Sequence, residues 1–110
     1  MDNVKNDAYY IAAIISDLKL IRKNMKNVSK AELEKNTILC DSVLFRIIQV
    51  SENTSRLSDC FKDAHPDVPW KAIKGMRNRI VHNYGDVDIE IVYSTVHEDI
   101  PQLLRLLEKL

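Results

Sequence analysis

Met76-Arg77-Asn78-Arg79-Ile80-Val81-His82-Asn83-Tyr84-Gly85 places guanidinium, amide, imidazole and phenol groups within ten residues of a 110-residue chain. A helix that only buries an apolar stripe does not need that chemistry. Upstream, Pro69 suits the first residue of a helix, where its missing N–H costs nothing, and Asp67 sets an acid beside the positive end of the dipole. Downstream, Gly85 fits the left-handed position that terminates helices, so the spacing predicts one helix from about Pro69 to Asn83 or Tyr84. His82 would then lie in the last turn, where the carbonyl end of the dipole favours its charged form and Arg77 opposes it.

Helical phase limits what one copy of this helix can do. At about 100° per residue, Arg77 and Tyr84 are roughly 700° apart and share a face, whereas Arg77 and His82 are roughly 500° apart and do not. A site using both must sit where the helix ends and loosens, or draw them from two chains across a symmetry axis.

Working outward, the rest of the chain reads as helices. Only two glycines and three prolines occur, 45% of residues are hydrophobic, and no alternating run bounded by hairpin turns suggests a sheet. The expectation is an all-α, four- to five-helix up-and-down bundle forming a single domain over residues 1–110. A first helix from about Asn3 to Met25 carries Ile11, Ile14, Ile15, Leu18, Ile21 and Met25 three and four apart. Ser29 and Glu32 form a capping box, and Asn36 or Thr37 restarts a longer helix through about Cys60 that buries Leu44, Ile47, Ile48 and Leu57. Asp86 or Asp88 caps a last helix running through Ile89, Val92, Val96, Ile100, Leu103, Leu104 and Leu107 to Leu110. Pro101 lacks a donor and crowds the preceding turn, which predicts a kink or break near Asp99.

Several classes are disfavoured. No apolar stretch approaches the roughly 20 residues of a membrane span, and the charged N-terminus lacks a signal-peptide core, so a cytoplasmic protein without membrane contact is expected. Cys40 and Cys60 would lie roughly 30 Å apart on one continuous helix, beyond a disulfide. His65, His82 and His97 are scattered, so neither a metal site nor a cofactor is expected. Sixteen basic residues balance sixteen acidic ones. Their distribution is uneven: Lys71, Lys74, Arg77 and Arg79 follow one another without an acid, and Lys19, Arg22, Lys23, Lys26 and Lys30 gather towards the end of the first helix. Either cluster suits phosphate, and each also suits a solvated helix face.

Arg77, the four residues Asn78 to Val81, then His82-x-Tyr84 resembles the Arg-x4-His-x-Tyr signature of the HEPN superfamily, and within it the HepT-like toxins. The resemblance extends over about residues 40–107. Ile48-Gln49-Val50-Ser51-Glu52 is similar to the family's helix with a Gly-Glu pair, Ser51 departing from the glycine. Pro66-Asp67-Val68-Pro69-Trp70 is similar to its lead-in, and Gly85-Asp86-Val87-Asp88 to its acidic exit. The resemblance implies the toxin of a type VII-like pair with a minimal nucleotidyltransferase antitoxin: a homodimer that cleaves RNA without a metal, with Arg and His of two protomers lining one cleft. It also implies that Tyr84 is where the antitoxin attaches AMP.

The residues fit that chemistry. Cleaving RNA without a metal needs a base for the ribose 2′-hydroxyl and a cation for the charge building on phosphorus. His82 fits the first role and Arg77 the second. Asn78 can orient His82 or the phosphate, Lys74 and Arg79 are substrate-binding candidates, and Glu52 is a supporting acid whose plainer role is an exposed pair with Arg56. The competing reading is a catalytically inactive helical subunit that scaffolds a nucleotidyltransferase or holds a nucleotide.

Overall fold

The computed structural model describes residues 6–82 and 86–110, with His82 described by its main chain. The protein is an all-α bundle. Helix α1 (Asp7–Met25) is followed by α2 (Lys30–Lys35), α3 (Thr37–Arg56), α4 (Asp59–Ala64), α5 (Trp70–Lys74) and α6 (Met76–Ile80). A two-residue strand pair, β1 (Val81–His82) and β2 (Asp86–Val87), leads to α7 (Ile89–Ser94), a π turn (Thr95–Asp99) and α8 (Ile100–Leu107).

Helix α1 starts later than Asn3. Asn6 caps it, accepting from the Tyr9 N–H at 3.0 Å, and residues 1–5 lie outside the described residues. Its stripe forms as the spacing predicts: Ile11, Ile14, Leu18, Ile21 and Met25 are buried, and Ile15 is half-buried against them. At Ser29 both halves of the capping box form, and Asn36 then caps α3. Helices α1 and α3 run antiparallel. Ser58, just past α3, donates its N–H and hydroxyl to Asp7 at 2.8 and 2.7 Å, while farther along the pair Arg46 meets Asp17 at 2.7 Å.

Helix α3 stops at Arg56 rather than continuing to Cys60, because Leu57 turns extended (ψ 143°) and Ser58 caps a separate short helix. Cys40, buried, and Cys60, exposed, therefore lie on different helices. The buried side of α3 is Val43, Ile47, Val50, Ser51 and Thr54, with Leu57 just beyond; Leu44 and Ile48 are half-buried. The reason is geometric: α3 packs on α1 along one flank and on α5 and α6 along another, which centres the stripe between them.

The last helix is continuous through its proline. Asp88, not Asp86, is the cap, accepting from the Ile91 N–H at 3.2 Å, and Asp86 lies in β2. Near Asp99, where Pro101 predicts a kink or break, the helix runs on through the π turn, which sets one extra residue into it just before Pro101. Val92, Val96, Ile100, Leu103, Leu104 and Leu107 still reach the core, and Ile89 is half-buried. No helix among the described residues is long and apolar enough to cross a membrane.

Candidate active site

The Pro66-Asp67-Val68-Pro69-Trp70 segment is the first element that builds the site. Val68 is buried, and the Trp70 indole N–H donates to the carbonyls of Lys62 and His65 at 3.1 and 3.0 Å. Both carbonyls also accept main-chain bonds, from the His65 and Val68 N–H groups at 3.2 Å each, so the indole shares them and ties the start of α5 to the end of α4. Pro69 stands one residue ahead of α5, at its cap. Gly75 joins α5 to α6: its N–H donates to Lys71 O at 2.9 Å, and its own carbonyl accepts from Arg79 at 3.2 Å. A Cβ at Gly75 would stand 3.2 Å from the Lys71 carbonyl, tighter than side chains usually tolerate.

The second element is the contact of this rod with α3. Ser51 is buried and its hydroxyl donates to the Ile73 carbonyl at 3.3 Å. A small residue lets the helices approach, and this one also satisfies a carbonyl. The next residue, Glu52, points outward and meets Arg56 at 3.7 Å, the exposed i,i+4 pair that the spacing allows and worth only tenths of a kcal/mol.

The third element corrects the sequence reading. The motif helix ends at Ile80, not at Asn83 or Tyr84. Val81 adopts φ −104° and ψ 108°, extended values that suit a β-branched residue, and its N–H makes the last helical bond, to Arg77 O. Val81 then pairs with Val87 and His82 with Asp86, and the Asp88 N–H bonds Ile80 O at 3.0 Å. His82 is therefore on a strand and not in a last turn, so the dipole reading of its charge falls away. The rod stops between Arg77 and His82. With the helix over at Ile80, the phase argument placing Tyr84 on the Arg77 face also falls; Tyr84, Asn83 and Gly85 lie outside the described residues.

The motif's remaining side chains separate. Arg77 and Asn78 are exposed on α6, and Arg77 Nη1 donates to Asn78 Oδ1 at 3.2 Å. Arg79 turns the other way, 3.7 Å from Asp99 of the π turn, at a groove of about 200 Å³ between α5–α6 and α8. Lys74 lines a different groove, of about 520 Å³, with Lys62, Lys71 and Trp70. The apolar partners Ile73, Met76 and Ile80 are fully buried in the protomer's own core. Among the described residues no three His, Cys, Asp or Glu side chains converge as a metal site would require. Sequence reasoning passed over Trp70 and Ser51 as builders of the site; the signal for Trp70 was an indole donor directly after the proline that opens α5.

The family model described as "Ribonuclease HepT-like" matches residues 14–110. The chain belongs to that family. Among HepT-like relatives, it is 30% identical over 106 residues to "Probable ribonuclease HepT" of Thermococcus cleftensis, covering 92% of each chain. It is 27% identical over 100 residues to "Putative RNase TTE0752" of Caldanaerobacter subterraneus subsp. tengcongensis, covering 91% of this chain and 89% of that one. No solved structure matches this HepT-like chain.

Proposed function

We propose that this protein is a metal-independent endoribonuclease, the toxin of a type VII-like pair with a minimal nucleotidyltransferase antitoxin. In this reading the His82 imidazole takes the proton from a ribose 2′-hydroxyl, and the 2′-oxygen attacks the adjacent phosphorus. The P–O5′ bond breaks, the leaving 5′-oxygen takes a proton from water, and a 2′,3′-cyclic phosphate remains. Arg77 stabilises the charge on the non-bridging oxygens, and Asn78, bonded to it, fixes the guanidinium. Lys74 contributes a cation one turn upstream for the RNA backbone.

The observation that carries this reading is the division of labour within the motif. Arg79 is engaged by Asp99, whereas Arg77 stays exposed at the end of a rod that hands the main chain straight to His82. Family membership and relatives named as ribonucleases support it.

The active form is a homodimer. The motif helix does not supply the apolar surface for it, since Ile73, Met76 and Ile80 are consumed by the protomer's own core. Helix α3 supplies it instead: Ile38 (84% exposed) and Phe45 (59% exposed) lie seven residues apart on one face. Glu52 is another seven on, so a pairing along this face brings Glu52 to the joint as a supporting acid. Tyr84 is the AMP acceptor, and an adenylyl group there would add a phosphate charge and bulk within the motif.

The test is product analysis. Purified protein with assorted RNAs in EDTA should yield fragments ending in cyclic phosphate and 5′-hydroxyl. The scaffold reading predicts binding without turnover, and 3′-hydroxyl ends would show that the 2′-oxygen is not the nucleophile.

A further inference from the structure

The cluster at the end of α1 has a groove beneath it. Arg22, Lys23 and Lys26 line an opening of about 490 Å³ between α1 and the π turn, whose far wall is Val96, His97 and Pro101. The plain account of two of these cations is the dipole, since Arg22 and Lys23 occupy the last turn of α1. That account explains neither the groove nor the arrangement of acids around it. No carboxylate lines the groove. The flanking lysines have acids: Lys19 meets Glu108 at 3.0 Å and Lys30 meets Glu90 at 2.9 Å. Asp99, on the same π turn, faces away to Arg79. Among ion pairs between described residues, none involves Arg22, Lys23 or Lys26. Three like charges on one concave surface of a chain with zero net charge repel one another unless an anion joins them.

Shape and aromatic content narrow the anion. Asn27, which also lines the groove, takes φ 62° at the end of α1. The π turn widens the helix at this wall, and such turns recur at functional sites. His97 at the rim packs against Tyr93, ring centroids 4.3 Å apart and tilted by 49°. Cations along a groove with an aromatic ring at its edge are the composition that holds single-stranded nucleic acid, phosphates on the cations and a base on the His97 ring.

We propose that this groove binds the phosphate backbone of single-stranded RNA, as a second contact for the substrate away from Arg77 and His82. The proposal rests on the ribonuclease reading for the choice of RNA as the polyanion. The groove guides and holds the strand; it performs no chemistry.

The experiment is fluorescence anisotropy of a labelled 2′-O-methyl oligonucleotide, which lacks the attacking hydroxyl and cannot be cut. Arg22→Gln/Lys23→Gln/Lys26→Gln should bind roughly tenfold more weakly than wild type at low salt, with the log–log salt slope shallower by about two. Lys23→Arg/Lys26→Arg should restore wild-type binding, and Lys19→Gln/Lys30→Gln, which removes only acid-paired lysines, should stay within about twofold. Circular dichroism confirms the fold of each. The proposal is overturned if the triple variant binds RNA as wild type does, or if it loses affinity for ATP while keeping that for RNA. The two readings fail separately. Binding through this groove by a protein that cuts no RNA defeats the ribonuclease assignment alone, whereas His82-dependent cleavage indifferent to the triple substitution defeats this one alone.

Discussion

Arg79 Nη1 lies 3.7 Å from Asp99 Oδ2, joining α6 to the π turn of the last helix. Arg77, two residues earlier, sits exposed on the other flank and bonds its neighbour Asn78. One arginine of the motif thus pairs with an acid of the last helix, and the other stays exposed beside Asn78.

That contrast gives the first prediction. Arg77→Ala should lower RNA cleavage at least about 100-fold, the scale of losing one aimed cation in a transition state, with unchanged helical circular dichroism. Arg79→Ala should keep cleavage within a few-fold and cost less than about 1 kcal/mol, because the pair is half-exposed and long. Reversed effects on the cleavage rate would exchange the two roles.

Ser51 is the test of how the rod is held. Ser51→Ala removes the side-chain donor to the Ile73 carbonyl, which the Gly75 N–H also reaches, and should cost up to about 1 kcal/mol in urea unfolding. Ser51→Val adds bulk at a close helix contact and should cost roughly 1–3 kcal/mol. Equal stability of all three proteins would show that the contact is not tight.

Much of this was legible from spacing and some was not, for physical reasons. The α1 stripe, the Ser29–Glu32 capping box and the Asn36 restart depend on local rules, and each appears in the structure. The end of the motif helix depends on partners far along the chain: Asp88 holds the Ile80 carbonyl, and Val87 draws Val81 into an extended pair. Gly85 looked like the terminator because nothing in the residues near Ile80 announces those bonds. The burial of Val43 and Val50 in place of Leu44 and Ile48 has the same origin, since one helix spacing cannot show that α3 serves two packing partners. Arg77 was legible as a candidate. The separation of Arg79 and Lys74 into different grooves was not, because it needs α8 and α4 in place.

Acid sensitivity follows from Asp7. The N–H and hydroxyl of Ser58 hold its carboxyl below the ordinary carboxylate value, and Ser29 does the same to Glu32. A depressed acid stabilises the fold above its unfolded value and loses that contribution as pH falls through the folded one. Unfolding midpoints should therefore drop on acidification below the ordinary carboxylate range, and Asp7→Asn with Glu32→Gln should flatten that drop. An unchanged profile would mean other groups govern it.

The proposed dimer is tested by charge. Phe45→Glu with Ile38→Asp places acids on the exposed α3 face and should give a folded monomer by light scattering, with cleavage lost. A variant that stays dimeric would move the interface elsewhere.

Regulation at Tyr84 is read by mass. With a cognate nucleotidyltransferase, ATP and Mg²⁺, the peptide containing Tyr84 should gain adenylate mass, and Tyr84→Phe should remain active but insensitive. Adenylylation found only at Tyr9, Tyr10 or Tyr93 would refute the assignment.

The most direct measurement is the rate of RNA cleavage in EDTA by wild type and His82→Ala at equal concentration. Positioned acid–base catalysis contributes roughly 10²–10⁴-fold, so wild type should turn over RNA and the variant should be slower by at least about 100-fold while retaining its fold. Cleavage by His82→Ala at the wild-type rate, or none by wild type on any RNA, would contradict the account.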